Sequence, residues 1–287
     1  MPELPEIEIV KRSLFQKINK AKITQTIIKN KNLRYKISSR LSKDLVGKKI
    51  LKISRRSKYL IFHFKKKLLL IHLGMSGKIL LMRMNDKAVF KTSFYYDLNI
   101  LKKHNHVYFK FNNGLMLIYN DVRRFGFIKL YNTTKLDKIS FIKKLGLEPF
   151  SKILNIDYFK RFVKKRKKNI KNLLMDQSFI SGLGNIYVNE VLFLSKINPL
   201  RECNAIKKNE IKNLIINIDK ILKLSIKKGG SSIKDFKNIQ GKSGNFQEFF
   251  HVYGQENKGC SRISCKGKVK KISISNRSTF YCSQCQK

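Results

Sequence analysis

The fold of the C-terminal segment is determined by two cysteine pairs, CSRISC (Cys260–Cys265) and CSQC (Cys282–Cys285). Paired thiolates at these spacings are typical of zinc ribbons, in which four cysteines bind one tetrahedral metal ion. A short tail without a large apolar core needs such a metal for stability. Four protein ligands leave no open position for catalysis. The sequence therefore predicts one structural Zn²⁺, bound by Cys260, Cys265, Cys282 and Cys285, and no organic cofactor.

Basic segments surround this tail and extend back from it. Lys266–Arg277, between the two cysteine pairs, predicts a basic ribbon that fits a DNA groove or backbone, and a solvated ribbon edge is the alternative. The turn Ser181–Asn185 precedes a helical run, so its glycines and the free N–H groups of the helix suit a phosphate. The lysine-rich run 164–168 and Lys171 strengthen that interpretation, although a charge run is more often a solvated face.

Hydrophobic periodicity divides the rest of the chain. The first segment is predicted to be a helix, with Pro5 in its first turn, because one face at helical spacing carries Ile7, Val10, Leu14, Phe15 and Ile18. Residues 22–131 alternate as strands do, and Asn112-Asn113-Gly114 predicts a tight hairpin turn between two of them. Further helices are predicted over 155–176, 185–195 and 207–228, the last ended by Gly229-Gly230. The pattern is β-rich, then helical, then a metal-stabilised ribbon, which is a multidomain α+β fold.

Length and charge limit the class of protein. The chain has 287 residues, enough for two or three domains. Lys and Arg number 63 against 18 Asp and Glu, a balance of 63 − 18 = +45, which favours a polyanionic partner. No signal peptide or membrane span is visible, and the cysteines suit a reducing compartment. The sequence predicts a cytoplasmic protein with no membrane association, although part of the lysine excess fits AT-rich codon usage.

The first residues carry a chemical signal. Removal of Met1, which a small following residue permits, would leave Pro2 with a secondary amine at the terminus. A terminal amine is neutral far more often at pH 7 than a lysine side chain, so it is a ready nucleophile toward carbon. Glu3 is next in sequence and could serve as an acid or a base. From these residues alone, a simple helix start is the favoured interpretation of Pro2.

Motifs spread along the whole chain show a family resemblance. They are MPELPE (1–6), RRSKYL (55–60), HLGMSG (72–77), RRFG (123–126), GNIY (184–187) and CSQC (282–285). In this order they closely resemble bacterial formamidopyrimidine-DNA glycosylase, a repair enzyme for oxidised purines. Two departures are visible: the first cysteine pair is spaced x4 rather than x2, and Val122 replaces a frequent proline, which is expected to loosen that loop.

The resemblance implies a fold with an N-terminal β-sandwich flanked by helices, a helix–two-turn–helix module and a C-terminal zinc-finger β-ribbon. It implies domains at 1–131 (catalytic sandwich), 132–230 (helical DNA binding), 231–251 (lesion loop and connector) and 252–287 (zinc finger). The partner is then damaged double-stranded DNA, and the protein is a monomer associated with the bacterial nucleoid.

The resemblance also assigns roles to individual residues. Pro2 would attack C1′ of the damaged nucleotide and form a Schiff base, and Glu3 would protonate the opening sugar. Lys58 would contact the substrate phosphate and assist the elimination, and Arg277 on the finger would clamp a phosphate near the lesion. The residues implied to contact DNA or to fill the space of the extruded base are His104, Arg166, Lys171, Asn185, Met75, Arg123 and Phe125. Without the family, Met75 and Phe125 would be interpreted as core residues.

Three functions follow as hypotheses. The first is a bifunctional DNA glycosylase and abasic-site lyase that removes 8-oxoguanine and formamidopyrimidines and cleaves the strand by β,δ-elimination. The second is an endonuclease VIII-like glycosylase for oxidised pyrimidines, against which Leu4 and the segment 123–125 argue. The third is a non-catalytic zinc-ribbon protein that binds nucleic acid without lesion preference.

Overall fold

A computed structural model of the chain describes residues 1–84, 89–90, 101–164, 166–231 and 246–287. These residues form two compact units, one of 1–143 with 228–231 and one of 144–227 with 246–287. Each unit has its own hydrophobic core. The domain limits given above remain a prediction, and most of the expected lesion loop lies outside the described residues.

The first unit is a β-sandwich, as predicted. One antiparallel sheet has the strand order β1 (Ile23–Ile28), β7 (Asn105–Phe111), β8 (Leu115–Asp121), β5 (Gly77–Arg83) and β6 (Val89–Phe90). The other has the order β2 (Lys52–Arg56), β3 (Tyr59–His63), β4 (Leu68–His72) and β9 (Phe127–Tyr131). Alternate residues of both sheets, such as Phe62 and Phe109, are buried in one shared core, which is the packing that strand alternation favours. The hairpin at Asn112–Gly114 joins β7 to β8 as the sequence predicts.

Among the described residues of this unit, the helices that flank the sandwich are α1 (Leu4–Ile18), α2 (Leu41–Leu45) and α3 (Ser140–Lys143). Helix α1 buries Ile7, Val10, Leu14 and Ile18 against the core. Phe15, which helical spacing places on the same face, is 46% exposed. The buried stripe of α1 is therefore narrower than its apolar residues indicate.

The second unit is helical, with α4 (Ile156–Val163), α5 (Ile170–Met175), α6 (Asn185–Leu194) and α7 (Lys208–Lys227). The helix predicted over 155–176 is wrong as a single element, because it is broken between α4 and α5. Asn169 begins a new helix there, since its side chain accepts a hydrogen bond from the Asn172 N–H at 2.9 Å. Helices α6 and α7 are confirmed within one or two residues.

The tail forms a two-stranded antiparallel ribbon, β10 (Val269–Ile274) and β11 (Arg277–Cys282). Ser275 and Asn276, both at positive φ, make the two-residue turn between them. Three backbone N–H groups at 251–253 donate to the buried Glu190 carboxylate of α6, and this holds the start of the tail. Within the described ranges, no helix is both long and apolar enough to cross a membrane.

Candidate active site and nucleic-acid interface

The first residues of the chain are fixed at the N-terminal end of α1. Pro2 is buried, and Glu3 is only 2% exposed. Glu3 and Glu6 form a reciprocal capping box, in which the Glu3 N–H donates to Glu6 Oε2 at 2.8 Å and the Glu3 side chain accepts from the Glu6 N–H. Glu6 Oε1 accepts two further hydrogen bonds, from the N–H and the hydroxyl of Ser231, both at 2.9 Å. The terminus is therefore held in one conformation rather than frayed.

Lys58 lies in the tight turn between β2 and β3, against which α1 packs. Arg55 fixes this turn from both sides, because its Nε donates to Glu8 Oε2 of α1 at 3.0 Å and its Nη1 donates to the Ser57 carbonyl at 3.0 Å. Burial would raise the pKa of Glu8, but hydrogen bonds from Lys11, Arg55 and Arg12 outweigh it and lower that pKa. This ion pair stabilises the turn that carries Lys58, whose side chain is 7% exposed.

His72, at the end of β4, is a neutral histidine beside this turn. Its Nδ1 accepts from the Gly74 N–H at 3.1 Å, and its ring stacks on Phe127 with centroids 5.5 Å apart. Burial, followed by the charges of Lys58 and Arg34, lowers the pKa of His72 to about 4. At neutral pH its Nε2 therefore carries the proton and is a hydrogen-bond donor.

The histidine makes the fold sensitive to acid. Because the folded pKa is about 4, below that of an unfolded histidine, the unfolded chain binds the proton more tightly. Stability is lost as pH falls from about 6.5 toward 4. We expect wild-type protein to lose about 2 kcal/mol more unfolding free energy than His72→Asn between pH 7 and pH 5. The asparagine side chain would keep an acceptor for the Gly74 N–H. Urea denaturation at both pH values measures this difference, and equal losses would contradict it.

Met75, Arg123 and Phe125 lie on two neighbouring loops of the first unit and are exposed. Met75 is 44% exposed and Phe125 is 43% exposed, so neither is a core residue. The Arg123 guanidinium lies over the Phe125 ring at 4.5 Å from its centroid. Arg34 and Arg124 line an open cleft beside them. An apolar pair with surrounding cations is suited to entering a base stack.

His104 is the remaining candidate in the first unit. It ends a 3₁₀ turn, Lys102–His104, immediately before β7, and is half-exposed. The turn presents Lys102 and Lys103 beside it, both exposed. A basic, exposed turn of this kind fits a phosphate contact.

Two candidate DNA-contact residues of the second unit, Asn185 and Lys171, form hydrogen bonds to strand β11. Asn185, the first residue of α6, donates from Nδ2 to the Ser278 carbonyl at 2.8 Å. Lys171 Nζ donates to Thr279 Oγ1 at 2.6 Å. Lys171 is completely buried, and burial followed by the charge of Arg277 lowers its pKa to about 8. Lys171 therefore supports the ribbon from behind and presents no exposed surface to a nucleic acid.

Arg277 and Arg166 are exposed cations of the same unit. Arg277 is the first residue of β11, directly after the turn of the ribbon, so it projects at the ribbon tip. Arg166 lies between α4 and α5 with its guanidinium 5.2 Å from the centroid of the Phe162 ring. Both side chains are exposed, and exposed guanidinium groups fit the phosphate contacts that the sequence analysis predicts for them.

The four cysteines of the tail come together as the spacing predicts. Their sulfur atoms all lie within 4.8 Å of one another, with Cys260 and Cys285 3.7 Å apart and Cys265 and Cys282 3.6 Å apart. A tetrahedral zinc ion with bonds of about 2.3 Å places its sulfur ligands about 3.8 Å apart. Neither pair is at the distance of a disulfide. The donor set and its spacing therefore fit a closed zinc site.

Comparisons with known proteins agree over the length of the chain. The model of the formamidopyrimidine-DNA glycosylase N-terminal domain matches residues 1–128, and that of the formamidopyrimidine-DNA glycosylase H2TH domain matches 145–237. The chain belongs to the formamidopyrimidine-DNA glycosylase family. The formamidopyrimidine-DNA glycosylase of Rickettsia africae is 43% identical over 287 residues, which are 100% of this chain and 99% of that protein.

Two solved structures of a Lactococcus lactis formamidopyrimidine-DNA glycosylase share this fold. A variant in complex with DNA containing Fapy-dG has a TM-score of 0.87 and 36% identity, with both chains fully covered. The wild-type protein in complex with DNA containing an oxidised pyrimidine has a TM-score of 0.86 and 36% identity, also with full coverage. The predicted family and fold class are therefore confirmed. The chain is a DNA glycosylase of oxidised-purine repair, and abasic-site lyase activity is typical of formamidopyrimidine-DNA glycosylases.

Sequence reasoning missed several residues that shape the site of this glycosylase. Glu6 and Ser231 fix the terminus, yet they are 225 positions apart, so no local pattern joins them. Asp121 is completely buried among the loops of Met75 and Phe125. A charged residue at the end of an apolar strand was the available signal.

Proposed function

We propose that this glycosylase excises oxidised purines with the amine of Pro2 as nucleophile. The observation that carries the proposal is the fixed and buried terminus, in which Pro2 precedes a capped helix and Glu3 is held by the box with Glu6. Such an arrangement places a weakly basic amine and a carboxyl group side by side. The proposal requires that Met1 is removed, because the Pro2 nitrogen is otherwise an amide.

The chemistry follows from these two groups. The Pro2 nitrogen forms a bond to C1′ of the damaged nucleotide, and the bond from C1′ to the base breaks as the base leaves with its electron pair. The departing base takes up the proton that the Pro2 nitrogen loses, so this nitrogen regains its lone pair. Glu3 donates a proton to O4′ as the C1′–O4′ bond opens, and the lone pair forms the iminium between Pro2 and C1′. The iminium acidifies the C2′ proton, so the 3′ phosphate and then the 5′ phosphate depart by elimination. Water finally hydrolyses the iminium and releases the enzyme.

Cationic and polar side chains bind the DNA backbone for this reaction. Lys58 contacts the phosphate of the damaged nucleotide, and Arg277 at the ribbon tip binds a phosphate near the lesion. His104, Arg166 and the N-terminal end of α6 at Asn185 contribute further backbone contacts. Lys171, buried behind β11, acts by supporting Arg277 and not by touching DNA.

Extrusion of the damaged nucleotide costs free energy, which new contacts between the protein and the duplex must offset. Unstacking and unpairing a base cost a few kcal/mol. Met75 and Phe125 are exposed apolar side chains that fill the vacated space, and Arg123 beside Phe125 faces the orphaned partner base. The Lactococcus lactis relatives are in complex with damaged DNA, which supports damaged duplex DNA as the partner here.

We propose that the four cysteines bind one structural Zn²⁺, and that the protein acts as a monomer on nucleoid DNA. The sulfur cluster and its soft thiolate donors support zinc in particular. When bound, the ion stabilises the ribbon that carries Arg277. The high positive charge suits a protein that searches along DNA by phosphate contacts.

Borohydride trapping tests the proposal directly. With an 8-oxoguanine:cytosine duplex, wild-type protein is expected to form a covalent adduct that peptide mapping assigns to residue 2. Pro2→Gly should lower adduct formation and base excision by about a hundredfold or more while DNA affinity changes little. Pro5→Ala, a matched change in the first turn of α1, should leave trapping intact. An adduct on another residue, or a Pro2→Gly variant that loses only binding, would contradict the assignment.

Oxidised pyrimidines form a second candidate substrate class. A Lactococcus lactis relative has been solved in complex with DNA containing an oxidised pyrimidine, so binding of such lesions occurs within the family. Parallel assays on 8-oxoguanine and thymine-glycol duplexes separate the two specificities. Faster excision of 8-oxoguanine supports the primary proposal, and a preference for thymine glycol overturns it. The non-catalytic alternative is not supported, because relatives that match the whole chain, such as those of Rickettsia africae and Ruegeria pomeroyi, are named as DNA glycosylases.

A further inference from the structure

Asp121 lies where two strands of the first unit deliver their loops. It is the last residue of β8, and it pairs in register with Gly77, the first residue of β5. The loop before Gly77 carries Met75, and the loop after Asp121 carries Arg123 and Phe125. The strand pairing alone therefore brings the Met75 loop and the loop of Arg123 and Phe125 to one end of the sheet. Asp121 is completely buried between these two loops.

The Asp121 carboxylate joins these loops by hydrogen bonds. Its Oδ1 accepts from the Ser76 hydroxyl at 2.5 Å, and its Oδ2 accepts from the Gly126 N–H at 2.8 Å. The Ser76 oxygen in turn accepts from the Arg123 N–H at 3.0 Å. Each carboxylate oxygen thus binds a different loop. The Ser76 hydroxyl links the two loops, because it donates to Asp121 and accepts from the Arg123 N–H.

The backbones of the two loops are also in direct contact. A Cβ atom added to Gly74 would lie 2.5 Å from the Gly126 nitrogen, and the φ of Gly74 is +59°. A Cβ atom on Gly126 would lie 2.4 Å from the His72 carbonyl oxygen. Only glycine fits at either position, because a Cβ at Gly74 would meet backbone atoms and a Cβ at Gly126 would meet both backbone and the Tyr119 hydroxyl. The two loops are consequently packed directly against each other.

We propose that Asp121 and Ser76 are positioning residues that preassemble Met75, Arg123 and Phe125 into a single rigid wedge. This inference rests on the proposed function, since it concerns the insertion of those side chains into DNA. Without the clamp, two separate loops would have to be ordered during base extrusion, and that loss of conformational freedom would oppose insertion. With it, the ordering is complete before DNA arrives.

The experiment compares a reaction that requires base extrusion with one that does not. Ser76→Ala is expected to lower single-turnover excision of 8-oxoguanine from duplex DNA about tenfold, and Asp121→Ala about a hundredfold. Borohydride trapping on a single-stranded abasic oligonucleotide should stay within about twofold of wild type, because no stacked base has to be displaced. In the background of Met75→Ala, the change Ser76→Ala should cost less than it does alone, since both act through the same wedge.

Ser42→Ala is the matched control. Ser42 also donates one hydrogen bond from its hydroxyl, to the Thr26 carbonyl at 2.9 Å, but it lies on α2. Equal effects of Ser42→Ala and Ser76→Ala, or equal losses on duplex and single-stranded substrates, would overturn the inference. If Asp121→Ala unfolds, Ser76→Ala decides the question, because Ser76 is only partly buried. Wild-type protein that excises no 8-oxoguanine would instead overturn the proposed function.

Discussion

Glu3→Gln is expected to slow excision of 8-oxoguanine by about 10²- to 10⁴-fold, the usual contribution of a positioned acid or base. Glutamine matches the size of glutamate and still offers an oxygen to the Glu6 N–H, so α1 keeps its cap. It carries no acidic proton for O4′. The loss should therefore fall on the chemical step, and DNA affinity should change by no more than about threefold.

Single-turnover excision and fluorescence anisotropy with a lesion duplex measure the two quantities separately. Glu202→Gln is a suitable control, because Glu202 is an exposed carboxylate of the second unit. That variant should retain the wild-type rate. An unchanged rate in Glu3→Gln would remove Glu3 from the mechanism, and a loss confined to affinity would make it a binding residue.

Cys282→Ser is expected to abolish stoichiometric zinc and to weaken DNA binding by about ten- to a hundredfold. Cys282 is completely buried in the small core beneath the ribbon and is one of the four clustered thiols. A structural zinc site contributes about 10–16 kcal/mol to the folding of a small module, so loss of one thiolate should disorder the ribbon. Arg277 would then lose its fixed position, and a charged hydrogen bond to phosphate is worth about 1.5–3 kcal/mol.

Atomic absorption measures the bound zinc, and fluorescence anisotropy measures the affinity for DNA. Cys203→Ser is the matched control, because Cys203 is a buried cysteine outside the cluster, and burial raises the pKa of its thiol to about 11. Wild-type protein and Cys203→Ser should each hold one zinc ion. A Cys282→Ser variant that keeps both its zinc and its affinity would contradict the assignment.

Local patterns predicted much of this structure. The Asn-Gly turn, the apolar stripe of α7 and the cysteine spacing each specify their own geometry within a few residues, and all three are present. The break between α4 and α5 was not predicted, because the apolar periodicity continues on both sides of it. Its cause is a helix cap by Asn169, a signal that competes with periodicity.

Apart from the four clustered cysteines, the candidate site residues were predicted from the family resemblance and not from local patterns. Pro2 and Glu3 were selected through the motif MPELPE, since the residues alone favoured a simple helix start. The burial of Lys171 against Thr279 depends on tertiary packing, which no local pattern indicates. The clamp at Asp121 depends on the register of β5 with β8. Such register is a property of the assembled sheet, so a single sequence gives little indication of it.

The hydrogen bonds from Ser231 to Glu6 can form only late in the synthesis of the chain. The first six residues leave the ribosome long before residue 231 is translated, so the amino end lacks those bonds and remains accessible while the chain grows. The proposed function requires removal of Met1, and we expect that step in this interval, because Pro2 and Glu3 are buried in the folded protein.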